Sequence, residues 1–395
     1  MGKIVLLSYF KSSNIGDLLI AEYVTEIFEE RFNLEYRDMN FSKIDFSKWR
    51  EKDGIFLEPK PSIFVRGKRK ILKIPFLGDW LISLKSRKSI LPDLAVECCH
   101  KGDMVIFAGG NSIMDLGRFP AYIRISYNIV KVLKAKGVSV GYCFCGVGPF
   151  RSRKSLKIAK ELFKEIDYIS VRDESSYELV KRLVPEKKVE IWRDPVLLKP
   201  QEQVGTEKKK AIGVNVYFGC ESNKAKKVKK AFIEVVSKLR KRYPEYKIKL
   251  FSSEYRDYRD VEKVKKAFVQ DEQVEIVLIK NEKDLFSFYG KIDVILGTRM
   301  HTIITSLVSG VASVTVSWQE KVESLSRFFG NSDFNFTLSE FITSPNCIVE
   351  KMQECLEKRA EIILKNQETL TRIRKETGKK VEEFFKGIED NGVLL

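Results

Sequence analysis

Histidine is scarce in this chain of 395 residues, with only two copies, and several familiar signatures are missing altogether. No apolar run approaches the roughly 18 to 20 residues that span a bilayer as a helix. Lys3 followed by one short apolar stretch does not make a secretory signal. Among seven cysteines no Cys-x-x-Cys occurs; Cys98-Cys99 are adjacent, and Cys143-x-Cys145 lies in an apolar run. That excludes the usual zinc and redox spacings and suggests reduced, mostly buried thiols. There is no Asp-x-Asp, no three-glycine dinucleotide fingerprint and no Gly-Lys-Ser/Thr phosphate loop. Internal repeats of short period and low-complexity tracts are absent as well. The resulting expectation is a cytoplasmic globular protein with no metal site.

Positive charge, by contrast, is abundant. The 71 Lys plus Arg against 54 Asp plus Glu leave a formal +17, which predicts attraction to polyanions without naming one. The excess gathers in Arg66-Gly67-Lys68-Arg69-Lys70 and Lys73, in Lys85-Ser86-Arg87-Lys88, in Arg151-Ser152-Arg153-Lys154 and between Lys224 and Lys230. None of these matches a nucleic-acid-binding motif, so no specific nucleic-acid partner is expected. The segment 71–82 is apolar, contains Phe76 and Trp80, and is flanked by cations. It suits either peripheral contact with an anionic membrane surface or a core-packed loop or helix with solvated ends.

With 44% hydrophobic and 11% aromatic residues the chain can fill a core, and its length favours two domains. Strand-like runs at 3–8, 103–108, 139–145, 168–171 and 189–192 alternate with helical periodicity at 17–31, 121–136, 155–166 and 175–183, the pattern of a doubly wound α/β architecture. A Lys-rich polar segment at 201–208 interrupts it and reads as a linker. A second alternation follows, with strands at 211–217, 247–251, 274–279, 293–296 and 312–317. The expected division is therefore 1–200 and 209–340, each Rossmann-like. A helical extension over 341–395, broken at Gly378, would pack back on the body through Ile348, Met352, Leu356, Ile362, Leu370 and Ile373.

In open α/β sheets ligands sit at the carboxyl ends of the strands. At one such end the strand stops on Gly297 and delivers Arg299 and His301, two residues apart, onto the first turn of a helix. Free N–H groups and the positive end of the helix dipole favour a phosphate or carboxylate there, and an arginine fork can grip it. The plainer reading makes Arg299 half of a surface ion pair and His301 a satisfied structural residue. Three other strand ends carry Asn14-x-Gly16-Asp17, Gly109-Gly110-Asn111 and Gly146-x-Gly148-Pro149. Asn14 and Asp17 could simply cap a helix, but three such loops at successive strand ends argue for one shared cleft. Arg172 leaves a strand with Asp173 and Glu174 heading the next helix, Asp194 precedes Pro195 at another strand end, and Lys321 follows the strand after the Arg-x-His helix. Asp257 and Asp260, with Arg256 and Arg259, read as a solvated helix face.

Taken in order, Asn14-x-Gly16-Asp17, Gly109-Gly110, Gly146-x-Gly148-Pro149, Ser170-Val171-Arg172-Asp173-Glu174, Asp194-Pro195, Arg299-x-His301 and Lys321 resemble the polysaccharide pyruvyl transferase family over roughly residues 1 to 330. The resemblance implies a GT-B-like fold, with two Rossmann-like domains facing across a cleft. It further implies transfer of a pyruvyl group from phosphoenolpyruvate, as a ketal, to a sugar of a cell-surface glycan or its lipid-linked precursor. Arg172, Arg299, Met300 and His301 would then line the donor pocket.

Residue chemistry agrees with that donor. Phosphoenolpyruvate carries a carboxylate and a phosphate on neighbouring atoms, which calls for at least two cations plus N–H donors, and Arg172, Arg299, Lys321 and the helix start after Gly297 can supply them. Asn14, Gly16, Gly109, Gly110, Asn111 and Gly148 would shape the substrate loops. His301 would serve the leaving phosphate, and Asp17 or Glu174 would act as acid or base. Apart from this donor substrate no cofactor is expected, and the cytoplasmic protein would meet its acceptor at the inner face of the membrane. The alternative is a GT-B glycosyltransferase with a nucleotide-sugar donor, in which Glu320 would grip a ribose and Trp318 stack on a base. A non-catalytic polyanion binder would explain the charge but not the strand-end glycine loops.

Overall fold

The computed structural model describes residues 2–50, 77–111, 113–115, 119–200, 209–219 and 222–390. The expected linker at 201–208, the basic cluster at 66–73 and the first half of the 71–82 segment lie outside them. The first half supplies β1 (Ile4–Ser8), β2 (Leu34–Asp38), β3 (Met104–Ala108), β4 (Ile113–Asp115), β5 (Ser139–Cys145), β6 (Val147–Phe150), β7 (Tyr168–Val171) and β8 (Glu190–Ile191). Six of them form one sheet in the order β2-β1-β3-β5-β7-β8, every neighbouring pair parallel, while β4 and β6 make a separate two-stranded ribbon. The second half supplies β9 (Ala211–Asn215), β10 (Lys247–Phe251), β11 (Val274–Ile276), β12 (Val294–Gly297), β13 (Ala312–Ser317) and β14 (Asn335–Thr337), again all parallel, in the order β11-β10-β9-β12-β13-β14.

Both sheets are wound in two directions from an inner strand, so each has a switch point, beside β1 and β3 in the first and beside β9 and β12 in the second. Helices cover both faces, which is why β1, β3, β9, β12 and β13 are buried at every position and read as unbroken apolar runs. β2 and β14 escaped the periodicity because they are edge strands of mixed polarity, Leu-Glu-Tyr-Arg-Asp and Asn-Phe-Thr. The strands expected at 189–192 and 274–279 shrink to Glu190–Ile191 and Val274–Ile276.

The C-terminal region holds helix Pro345–Glu357, which packs Ile348, Met352 and Leu356 into the second-domain core, and helix Arg359–Asp390. The expected break at Gly378 does not occur: the last helix runs through it. An interior glycine costs about 1 kcal/mol relative to alanine, and the burial of Leu370, Ile373, Val381, Phe385 and Ile388 outweighs that. This helix returns to the first domain. Phe385 meets Phe28 and Phe32 with ring centroids 5.1 Å apart in each case, Phe384 meets Trp192 at 5.1 Å, and Arg31 pairs with Glu382.

The two domains also touch at the loop that closes β1. Ile15 N–H donates to the Ser253 carbonyl at 2.9 Å, Tyr255 N–H donates to the Ser13 carbonyl at 3.1 Å, and the Ser13 hydroxyl donates to Glu254 at 2.6 Å. Behind this contact one continuous core joins Ile20 of helix Ile15–Glu29, Ile304 and Leu307 of helix Met300–Val308, Val196 and Leu370. The carboxyl ends of the inner strands of both sheets thus face a common space.

Candidate functional site

Helix Met300–Val308 begins directly after β12 and has no side-chain cap at its start. Its entry is fixed from below by Asn215, at the end of β9, whose Oδ1 accepts from the N–H groups of Thr298 at 3.2 Å and Arg299 at 3.0 Å. A buried asparagine closing an apolar strand is therefore what sets the direction in which Arg299 and His301 leave the sheet. The Arg299 guanidinium lies 4.0 Å over the Tyr217 ring and gives Nε, at 2.8 Å, and Nη2, at 2.6 Å, to Oδ2 of Asp257. Asp257 thus departs from the expected solvated face: it is 8% exposed, whereas Asp260 pairs locally with Lys263. Burial pushes the Asp257 carboxyl up to about 6, against the pull of Arg299.

From the first domain, Arg172 at the end of β7 donates Nη1 to Oδ2 of Asp194 at 3.0 Å, and both side chains are almost wholly buried. His301 Nε2 stands 4.0 Å from that same oxygen. Burial holds the imidazole below its usual value although Asp194 and Asp17 pull the other way. Lys321 reaches in from the first turn of helix Glu320–Phe328, which follows β13, donating to Asn111 Oδ1 at 2.9 Å and standing 3.9 Å from Asp173 Oδ2. Burial pushes the Lys321 ammonium down to about 8, partly offset by Asp173. Asp173 itself, though burial opposes it, is held below the ordinary carboxylate range by Lys321 and Arg172.

Arg172 Nε, Asp173 Oδ2 and His301 Nε2 are buried and have no hydrogen-bond partner among the described residues. Gly146 makes room for this group: a Cβ there would stand 2.5 Å from Asn111 Oδ1 and 3.1 Å from both Arg172 Nε and Lys321 Nζ. Gly16 does the same on the opposite wall, where a Cβ would stand 2.0 Å from the His301 ring. Buried polar groups are normally satisfied, so three orphans around one glycine-lined space mark a place for a polar ligand. Beside Arg299, a small apolar recess is lined by Tyr217, Thr298, Val316 and Trp318, with the two aromatic rings 5.1 Å apart.

The remaining predicted residues fall around this centre. Asn14 caps helix Ile15–Glu29, its Oδ1 accepting from Gly16 N–H at 2.9 Å, and Asp17 accepts from the Ser12 hydroxyl at 2.9 Å. Asn111 is oriented by its donation to the Gly148 carbonyl at 3.1 Å. Gly109 backs onto Ile20, and Gly110 onto Tyr9. Met300 packs against the core shared by the two domains. Glu174 is committed elsewhere: both its oxygens accept from Arg193, at 2.9 and 2.5 Å, on a half-exposed surface. Sequence reasoning missed Asn215, Tyr217 and Asp257. Asn215 could have been found as a polar residue ending an apolar strand, whereas nothing local separates Asp257 from Asp260. Among the described residues no group of three or more His, Cys, Asp or Glu is placed to hold a metal ion, and no helix is long and apolar enough to cross a membrane.

Two doubly wound domains facing each other across a cleft, with cations and an open helix start inside it, define a GT-B-like transferase architecture. Solved structures agree on the fold. The chain is similar to a glycosyltransferase from Rickettsia africae, with TM-score 0.60 and 13% identity over 99% of this chain and 100% of that one. It is similar too to the UDP-GlcNAc 2-epimerase of Neisseria meningitidis bound to UDP-GlcNAc, with TM-score 0.57 and 10% identity over 98% and 100% of the two chains. A third is Anabaena HepE in complex with UDP and glucose, with TM-score 0.56 and 9% identity over 97% and 100%. At such identities the likeness concerns the fold alone. No curated protein matches the sequence. The chain belongs to the polysaccharide pyruvyl transferase family, whose model matches residues 14–320.

Proposed function

We propose that the donor is phosphoenolpyruvate and that its pyruvyl group is passed, as a ketal, to two hydroxyls of one sugar in a cell-surface glycan or its lipid-linked precursor at the inner face of the membrane. The observation that supports this reading is the set of buried, unpartnered polar atoms, Arg172 Nε, Asp173 Oδ2 and His301 Nε2, next to Lys321 and the uncapped start of helix Met300–Val308. Asp194 orients the Arg172 guanidinium without consuming it, since Nε makes no hydrogen bond and stands 4.0 Å from Asp173 Oδ2. A small dianion or trianion with two adjacent acidic groups matches two cations and a row of N–H donors.

The proposed chemistry runs as follows. Lys321, protonated below about pH 8, delivers a proton to the methylene carbon, and C2 takes on oxocarbenium character. An acceptor hydroxyl adds to C2 while its proton passes to Asp173, which lies 3.9 Å from Lys321 and can return it there. The C2–O bond to phosphate then breaks, the electron pair leaving with the phosphate, which His301 hydrogen-bonds. A second hydroxyl of the same sugar closes the ketal, and its proton departs with the phosphate. Asp173 replaces Glu174 in this scheme because Glu174 is held by Arg193. Asp17 supports His301 electrostatically, and no cofactor enters.

A nucleotide-sugar donor is the competing reading, favoured by the Tyr217 and Trp318 pair beside Arg299. Calorimetric titration with phosphoenolpyruvate, run beside a UDP-hexose, separates the two. The expected result is saturable binding of phosphoenolpyruvate only, weakened in Arg299→Ala by roughly 2 to 5 kcal/mol, the range for truncating one partner of a buried charge pair. Binding of the UDP-hexose instead would transfer the proposal to a glycosyltransferase.

A further inference from the structure

Helix Leu77–Arg87 turns two different faces to its surroundings. Ser83 and Ser86 are buried against the start of helix Tyr122–Ala135: the Ser83 hydroxyl donates to the Pro120 carbonyl at 2.9 Å, and Arg124 donates to Ser83 Oγ at 3.1 Å. On the other face Trp80 is 45% and Leu84 37% exposed, one helical turn apart, and Lys85, Arg87 and Lys88 continue that face into solvent. Ile90 and Tyr122, the first residue of the supporting helix, add two more large apolar side chains at 65% and 62% exposure. Soluble surfaces rarely group such residues without a partner.

The charge here is as uncompensated as the apolar surface. Among the described residues no carboxylate pairs with Lys85, Arg87 or Lys88. Arg87 instead lies close enough to Arg124 to disfavour its charge, adding to the effect of burial. A second basic stretch follows β6, in Arg151 and the first turn of helix Arg153–Glu165. Arg151 N–H donates to the Asp115 carbonyl at 3.2 Å, and Asp115 in turn accepts from Ala121 N–H at 2.7 Å. Arg151, Arg153 and Lys154 are all exposed. Unpaired cations on the same helix as exposed aromatic and aliphatic side chains call for an anionic partner that also accepts apolar groups.

We propose that this face docks the protein on an anionic lipid bilayer, with Trp80 and Leu84 entering the headgroup region and Lys85, Arg87 and Lys88 meeting lipid phosphates. An amphipathic helix with a basic rim binds such a surface by adding apolar burial to Coulomb attraction, about 1 kcal/mol for each Lys or Arg at the surface. The position in the fold gives the docking a purpose. The strand pair β4 and β6 that carries Asp115 also carries Gly148, and Asn111 lies just before it, so the helix that bears the docked face and the Asn111 that holds Lys321 are built on the same part of the first domain. A saccharide tethered to lipid would enter the cleft from that side. The docking rests on the lipid-linked form of the acceptor proposed above, but it is measured without donor or acceptor, so the two readings fail separately.

The test is flotation of the full chain with vesicles of phosphatidylcholine alone or mixed with phosphatidylglycerol. The protein should float only with the anionic vesicles and be released as salt rises. K85A/R87A/K88A should bind roughly 100-fold more weakly. W80A/L84A should bind more weakly as well, and retain the electrostatic part. Thermal unfolding of both variants checks that they are folded. Absence of binding to anionic vesicles, equal binding to neutral ones, or unchanged binding by both folded variants would overturn the proposal. Heparin binding in place of vesicle binding would overturn it too, by assigning the charge to a soluble polyanion.

Discussion

At the scale of single residues, the candidate site is a set of cations each held by a carboxylate that comes from elsewhere in the chain. Arg172 has Asp194, Arg299 has Asp257, and Lys321 has Asp173 at 3.9 Å. Such pairs fix direction more than they add stability, because desolvation offsets much of the attraction. Their consequence is a pH dependence at Lys321. Burial lowers its pKa to about 8, with Asp173 and Arg172 as the charged neighbours. Below that value the ammonium is present and should attract the donor; above it the charge is lost and donor affinity should fall. Lys321→Arg should therefore keep phosphoenolpyruvate binding level across this range while turnover collapses, since a guanidinium cannot give up the proton. Calorimetry and phosphate release measured from pH 7 to 9 check both halves; an alkaline loss of affinity that persists in Lys321→Arg would move the titration to another group.

At the scale of elements, helix starts and strand ends do the positioning. Helix Ile15–Glu29 begins so close to His301 that only glycine fits at position 16. Gly16→Ala would drive a methyl group to within 2.0 Å of the imidazole ring and 2.3 Å of His301 Cβ, so the ring or one of the two helices must move. Overpacking of this kind costs about 1 to 3 kcal/mol. The expected outcome is a folded variant with a lower urea midpoint and greatly reduced turnover, because the displaced ring no longer aims Nε2 into the pocket. Full activity in Gly16→Ala would show that the two helices separate during the reaction cycle.

At the scale of the whole molecule, the cleft depends on how the two domains are tied together. One tie is the last helix, crossing from the second domain to stack Phe385 on Phe28 and Phe32. Another is polar. Glu282 of the second domain accepts from Tyr23 of the first and from Lys199 near the end of the first, with Glu22 alongside. Burial first, and then the charge of Glu282, raise the Glu22 carboxyl well above its ordinary value. A carboxyl whose folded pKa is raised contributes stability while it keeps its proton. That contribution is lost as pH climbs from the unfolded value through the folded one. The protein should accordingly lose stability between mildly acidic and mildly alkaline pH, and Glu22→Gln should flatten that slope. Thermal unfolding across the range measures it, and an equally steep slope in Glu22→Gln would place the titrating group elsewhere.

Periodicity and strand-end residues were by themselves enough to determine two α/β halves and a helical tail, and to single out Arg172, Arg299, His301 and Lys321 as candidates, which the fold brings to one cleft. The reason is local: strands buried on both faces leave unbroken apolar runs, and the residues just after such a run stand at the carboxyl end of the sheet. Gly378 misled for the converse reason, since one residue of poor helix propensity says nothing of the apolar face that packs around it. Only the tertiary structure decided which groups those cations meet. Arg172 finds Asp194 at a separation of 22 residues, Arg299 finds Asp257 at 42 and Lys321 finds Asn111 at 210. Contacts so distant along the chain leave no pattern in it. They come into being when two sheets, each folded by its own short-range rules, are packed with their carboxyl ends together.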